Sequence, residues 1–194
     1  MAEGTRRRRD PEARRREIVA AAAELIVEVG AEAITHRLVA ARAGLPLGAT
    51  TQYFATLDDL RTAAFGALAA EIECRLDGVR QTLAERGAGA DVIATLVHDS
   101  IEDGRAVQAD RAVVTAAVHD PRLRALARHL ADRLVDLLEP TYGAERARAA
   151  MIFIDGVMWS THIRDVHLEQ SFIETALARI LGDPLSTPSA ATAP

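Results

Sequence analysis

Residues 35–54 read THRLVAARAGLPLGATTQYF. Thr35 suits the cap of a short helix, in which Leu38, Val39 and Ala41 or Ala43 face inward. Gly44 ends that helix, because glycine takes the positive φ of a tight turn without a Cβ clash, and Pro46 follows in the turn. A further short helix is expected from about Leu47 to Phe54. Ala40 and Ala43 are small enough for two helices to approach closely, and Leu38, Val39 and Leu45 offer an apolar seam. Helix, glycine-containing turn, helix is the helix-turn-helix arrangement. In it one helix braces the DNA backbone and the next enters the major groove with its N-terminal residues at base edges. The entering helix would present Leu47, Gly48, Ala49, Thr50, Thr51, Gln52 and Tyr53. Glutamine pairs bidentately with adenine, and threonine bonds a base edge or touches a thymine methyl. Gly48 has no side chain to hold the backbone off a phosphate, and Phe54 and Leu57 anchor the unit.

Working outward, Ile18, Ala22, Leu25, Ile26 and Val29 are spaced as one face of a helix. Pro11 suits its first position and Gly30 its stop. Downstream, Leu57, Leu60, Ala64, Leu68, Ile72, Leu76, Val79 and Leu83 step by three or four, a long amphipathic helix that ends near Gly87. Further helices are expected at about 90–103, 106–118, 121–139, 144–165 and 169–181. Pro121 starts one, and Pro140 with Gly143 separates two others. No stretch alternates long enough to read as a strand. The expectation is an all-α chain of about nine helices: a three-helix head over 11–56 and a body over 57–182. A disordered arm at 1–10 and a disordered tail at 183–194, rich in Pro, Ser, Thr and Ala, complete the division.

Composition narrows the function. Hydrophobic residues make up 49% of the 194, but aromatics only 4%, so the core must be mostly Ala, Leu, Val and Ile. All 23 basic residues are arginine, against 28 acids. Residues 1–54 hold nine Arg and seven acids, a balance of +2; residues 55–194 hold fourteen and twenty-one, a balance of −7. A basic head on an acidic body means that only the head is suited to a polyanion. Arg6, Arg7, Arg8 and Arg9 form an arm that could reach an adjacent minor groove or phosphates. The single cysteine, Cys74, excludes an internal disulfide framework and any structural zinc site needing two thiolates. No apolar run approaches the ~18 residues of a membrane span, and no apolar stretch follows the N-terminal arginines as a secretory signal requires. The expected location is the cytoplasm.

At these residues the chain resembles the TetR/AcrR family of transcriptional regulators. Thr35, Val39, Ala40, Ala43, Gly44, Leu45, Gly48, Tyr53, Phe54, Asp58, Asp59 and Leu60 occupy the places of the family pattern. Residues 15–65 carry the match; beyond them, helical layout and length agree. Thr51 stands where the family usually has Tyr, and Pro46 and Leu47 replace the commoner Ser and Lys. The resemblance implies a homodimer whose last two helices pair with those of a second copy, which points to Phe153, Gly156, Ser160, Ile163, Phe172, Ile173, Ala176, Leu177 and Ile180. It also implies a double-stranded DNA operator, roughly palindromic, and a small-molecule effector held among the middle helices. By position Cys74, His98, Ile101, Val113, Ala117, Leu130, Phe153, Val157 and Trp159 are candidates to line that pocket, fewer than about half of them as ligand contacts, because pockets are mostly apolar and patterned like core. In the head, Thr35, Arg37, Arg42 and Tyr53 are expected to hold phosphates, and Thr50, Thr51 and Gln52 to read bases. The run 151–159 is apolar almost all round and needs cover on more than one side.

Other classes were weighed on the same residues. An architectural DNA binder would be basic throughout, which this body is not; an activator fits as well as a repressor. A helical enzyme finds no support, for there is no G-x-S-x-G, H-E-x-x-H or phosphate-cradling glycine loop. No cofactor and no metal site is expected. His98 and Glu102 supply only two local ligands, and His162 and His167 are poorly spaced for one helical face. Cys74 shows no partner of the kind a reactive thiolate needs.

Overall fold

Several helix boundaries are set by a group that satisfies backbone left open there. The computed structural model describes residues 10–164 and 166–185. Helix α1 (Pro11–Val29) starts where the Asp10 carboxylate accepts the Glu12 N–H at 3.0 Å, and it stops at Gly30. A 3-10 turn, Ala31–Ala33, which the sequence pattern did not signal, leads to α2 (His36–Arg42). Thr35 Oγ1 caps α2 by accepting the Leu38 N–H at 3.2 Å. At its other end Gly44 takes φ 65°, which lets the Leu45 N–H reach the Ala40 carbonyl at 2.9 Å and the Gly44 N–H the Ala41 carbonyl at 3.2 Å. This paired closure satisfies two end carbonyls and turns the chain sharply into α3 (Leu47–Tyr53). Thr56 then caps α4 (Leu57–Arg86), accepting the Asp59 N–H at 3.1 Å. The body continues as α5 (Ala90–Glu102), α6 (Gly104–His119), α7 (Pro121–Tyr142), α8 (Ala144–Ile163) and α9 (Gln170–Leu181). Among the described residues there are nine α-helices and no strand, the expected all-α architecture.

Two expectations are corrected by the packing, and a third is made specific. Pro140 does not separate helices: α7 runs through it to Tyr142. Pro140 lacks the N–H that would meet the carbonyl of Asp136, but only Thr141 and Tyr142 follow it in the helix, and Gly143, at φ 83°, makes the break. Leu38 does not face inward but is 38% exposed, and Ala41 is exposed too; Val39 and Ala40 supply the buried seam. The run 151–159 is not covered on all sides within one chain, since Ile152 is 72% exposed while Met151 and Val157 are buried.

Two apolar cores result. The first joins Ile18, Ile26, Ile34, Val39 and Phe54 of the head to Leu60, Ala64 and Leu68 of α4 and to Ala109 and Val113 of α6. The second gathers Ile93 and Val97 of α5, Leu138 of α7, Ala147 and Ala150 of α8, and Ile173, Leu177 and Leu181 of α9. Helix α4, about 45 Å long at 1.5 Å per residue, leads out of the first core along the body. No helix among the described residues is long and apolar enough to cross a membrane.

Leu68 is fully buried where α4 joins the head. Leu68→Ala should lower the unfolding free energy by about 2–5 kcal/mol, read by denaturant titration with far-ultraviolet circular dichroism. A loss well under 1 kcal/mol would show that this junction is not a packed core.

Candidate nucleic-acid interface and effector cavity

The open surface of α2 and α3 is narrower than the sequence pattern implied. In α3, Gly48, Thr51 and Gln52 are exposed, Ala49 and Tyr53 are half-buried, and Thr50 is fully buried. The Thr50 hydroxyl donates to the Leu47 carbonyl at 2.9 Å. Thr50 is therefore not placed to read a base; it pins α3 to the inside of the unit. Thr51 is outward, with its hydroxyl donating to the Gly48 carbonyl at 3.2 Å. Gln52 keeps a side chain open to solvent and makes no hydrogen bond within the described residues.

On α2, Arg42 is corrected as well. Its guanidinium donates to Glu28 at 2.8 Å and to Glu24 at 3.2 Å, so it clamps α2 onto α1. The hydrogen bond from Arg42 holds the Glu28 carboxyl below its ordinary range, and the same contact keeps Arg42 more firmly charged. A phosphate would have to compete with two carboxylates for this cation. Arg37 is exposed on the same helix with no acid paired to it among the described residues. Thr35 Oγ1 is engaged as the α2 cap. Arg15 lies over the Phe54 ring at 5.0 Å, a contact that ties α1 to the end of α3. Arg6, Arg7, Arg8 and Arg9 lie outside the described residues.

The body holds a cavity of about 460 Å³ between α4, α5, α6, α7 and α8. Its wall is mainly aliphatic, with Leu76, Val97, Val113, Leu130, Leu134 and Met158, and Trp159 stands at its exposed edge. Val113, Leu130 and Trp159 are thus where position in the chain placed them. The other candidates are not. Cys74 is exposed on α4; Ala117 belongs to the first core and Ile101 to the second; His98 is half-buried outside the lining. Phe153 and Val157 instead line a shallow hollow of about 380 Å³ beside α9, together with Gly156, Ser160 and Phe172. Adjacent residues on α8 serve different surfaces, Phe153 and Val157 the hollow and Ile154 and Met158 the cavity.

Four charged residues in the cavity wall escaped the sequence reading: Arg75, Asp110, Arg111 and Asp155. Arg75 of α4 pairs with Asp110 of α6, 35 residues away, a separation that leaves no local signal. Burial pushes the Asp110 carboxyl up, against the pull of Arg75. Burial also pushes Asp155 up, and no cation is paired with it among the described residues. Asp155 was visible as the sole acid in the apolar run 151–159. Outside the cavity α4 is held by two further pairs: Glu71 to Arg105 of α6 at 3.1 Å, and the half-buried Glu73 to Arg133 of α7 at 3.2 Å. The described residues contain no cluster of three or more side chains able to hold a metal ion.

The proposed copy-to-copy surface splits in the same way. Gly156 and Phe172 are exposed and Ser160 is half-buried, but Ile173 and Leu177 are fully buried in the second core and cannot face a partner. Ala176 and Ile180 are half-buried on α9. The Ile163 side chain lies outside what is described.

No family model and no curated protein matches the chain. Solved structures do. The chain is similar to a TetR-family member from Streptomyces coelicolor A3, at 29% identity over 87% of this chain and 98% of that one, with a TM-score of 0.74. It is similar to the multidrug binding protein EbrR complexed with imidazole, at 29% identity over 88% and 96%, TM-score 0.74. Other structures of EbrR hold proflavin, ethidium and malachite green. A TetR-family regulator from Mesorhizobium loti shares the fold at 14% identity, TM-score 0.68, over 92% and 96%.

The cavity carboxylate makes a testable demand on stability. The folded-state pKa of Asp155 is raised, so the native protein holds a proton at a pH where the unfolded chain has lost it. Stability then falls as pH rises from the ordinary carboxyl range through the folded pKa, and the cost persists above it. Asp155→Asn should melt higher than the parent at pH 7, with the gap closing as pH approaches 4. Thermal unfolding followed by circular dichroism across that range checks it; a gap independent of pH would mean that desolvation of the carboxylate is not the cause.

Proposed function

This chain belongs to the TetR family of transcriptional regulators, and from that premise we propose that it is a ligand-released repressor that binds a roughly palindromic operator as a homodimer. Residues 11–56 read DNA, and residues 57–182 hold the effector and pair the two copies. The observation that carries this reading is the course of α4. Its first turns, at Leu60, Ala64 and Leu68, are packed into the head, and Leu76 and Val79, two to three turns further on, wall the cavity. A molecule that changes the cavity acts on the same rigid element that carries the recognition unit.

In the complex, α3 of each copy enters one of two successive major grooves about 34 Å apart. Gln52 reads a base edge, while Arg37 and Tyr53 hold phosphates and fix register. The two copies pair through α8 and α9, where Ile152 and Phe172 leave apolar surface uncovered and Gly156, with open space where a Cβ would stand, allows close approach. The effector is a largely apolar molecule, matched to the aliphatic wall, and Asp155 gives preference to one that carries a positive charge. EbrR binds dyes of that size and character, which supports the choice of first probes. The protein acts as a regulator in the cytoplasm and not as an enzyme. An activator using the same DNA surface is the alternative, and the sign of transcription on adding effector separates the two.

Fluorescence anisotropy tests the operator reading. DNA from upstream of the protein's own coding region, and other intergenic DNA, should yield a fragment bound tightly at physiological salt while scrambled DNA is released. Equal binding to all sequences, lost with salt, would mark only a nonspecific polyanion binder. On the preferred fragment Gln52→Ala should cost about 1–3 kcal/mol and relax one base position; equal loss on every sequence would reassign Gln52 to the backbone. The cavity is tested on the protein alone. Trp159 is the single tryptophan, so malachite green entering the cavity should quench its emission saturably, and Leu130→Trp should weaken that binding by filling the space. Emission unchanged up to the dye's solubility would remove such dyes from the effector class.

A further inference from the structure

The open face of α3 is poor in hydrogen-bonding groups. Thr50 is turned inside, Gly48 has no side chain, and Thr51 has committed its hydroxyl proton to the Gly48 carbonyl at 3.2 Å. Among the fully exposed side chains of α3 only Gln52 brings uncommitted donors. What the face offers in their place is hydrocarbon: Leu47 is 46% exposed, and it belongs to neither apolar core. Leu47 and Thr51 stand four residues apart, one above the other on the same side of the helix, so the leucine and the threonine methyl form a single apolar step beside Gln52. In the major groove the four base pairs differ in donors and acceptors, and thymine alone adds a methyl group. An apolar step there gains from burying that methyl and gains nothing from cytosine.

We infer that Leu47, with Thr51 beside it, is a specificity-determining residue that selects a thymine by its C5-methyl group in each half-site. This rests on the reading of α3 as the groove-entering helix. It adds that readout by this chain depends on shape and hydrocarbon at one position and on the Gln52 amide at another. A 5-methylcytosine at the selected place would be taken in preference to cytosine, for the same reason.

The experiment removes the methyl and nothing else. The full chain selects duplexes from a randomised pool, and each thymine of the best duplex is replaced singly by deoxyuridine, which keeps every hydrogen-bonding group. Anisotropy titrations are run with the parent and with Leu47→Ala. Deoxyuridine at one thymine of a half-site should weaken the parent about fourfold, the worth of one buried methyl. Leu47→Ala should bind the thymine duplex several-fold more weakly and bind the thymine and deoxyuridine duplexes equally at that place. Leu47→Met, which keeps the hydrocarbon, should keep the discrimination. The exposed position and alanine's helix propensity let the variant fold, which its melting curve verifies. A parent indifferent to deoxyuridine at every thymine, or a Leu47→Ala variant with the parent's discrimination, overturns the inference and leaves DNA binding standing. A pool that yields no sequence preferred over scrambled DNA overturns the DNA reading, and this inference with it.

Discussion

Helix α4 is the constraint on which the rest of the molecule depends. A single unbroken helix of 30 residues has to satisfy two environments at once. Near its start Leu60, Ala64, Phe65 and Leu68 are locked among the head helices, and further along Ile72, Leu76 and Val79 form one wall of the cavity. A long helix curves gently but kinks sharply only where something interrupts its hydrogen-bond ladder, and α4 contains no proline. Tilting one part therefore carries the other with it. The head also packs on α6 through Ala109 and Val113, and Val113 borders the cavity too. The helix-turn-helix head is built onto the walls of the cavity.

The electrostatics divide along the same line. Of the pairs that hold α4 from outside the cavity, Glu71 to Arg105 is open to water and contributes little, and Glu73 to Arg133 is half-buried. Arg75 and Asp110 also join α4 to α6, but they do so in the cavity wall, half-withdrawn from solvent. A charge there responds to what occupies the cavity, whereas the outer pairs respond to salt. Asp155 completes the contrast, a carboxylate partly desolvated with no cation paired with it among the described residues.

Much of the architecture was legible because its punctuation is local. Pro11, Gly30, Gly44, Gly87 and Gly143 stand at real boundaries, and a three-to-four step along Leu57 to Leu83 can be read from the residues alone. Pro140 misled because its cost depends on how near it lies to a helix end, which a neighbour such as Gly143 decides. The candidate site was less legible. In a helix of only seven residues the period does not say which side is inside, and so Thr50 looked like a reader of bases until its hydroxyl was found on the Leu47 carbonyl. Arg42 looked free because Glu24 and Glu28 lie on another helix. In the body, core and cavity are made of the same aliphatic residues. Val113 and Leu130 could not be told from Ile101 and Ala117 by sequence, since the difference is whether the space beside them is filled.

An apolar cavity walled by the helices that carry the head ties what fills it to how those helices stand. A ligand shifts a population only by the difference in its affinity for the two states. Here the difference must come from α4 and α6, because α8 and α9 are held to α5 and α7 by the second core. A molecule that filled the aliphatic wall without altering the spacing of α4 from α6 would bind and do nothing. One that separated Arg75 from Asp110, or spread Leu76 from Val113, would favour a different tilt of α4. It would gain in that state what the ion pair and the first core had opposed. The size and polarity of a cavity therefore decide what enters it, but any effect on the head is decided by which pair of helices the guest touches.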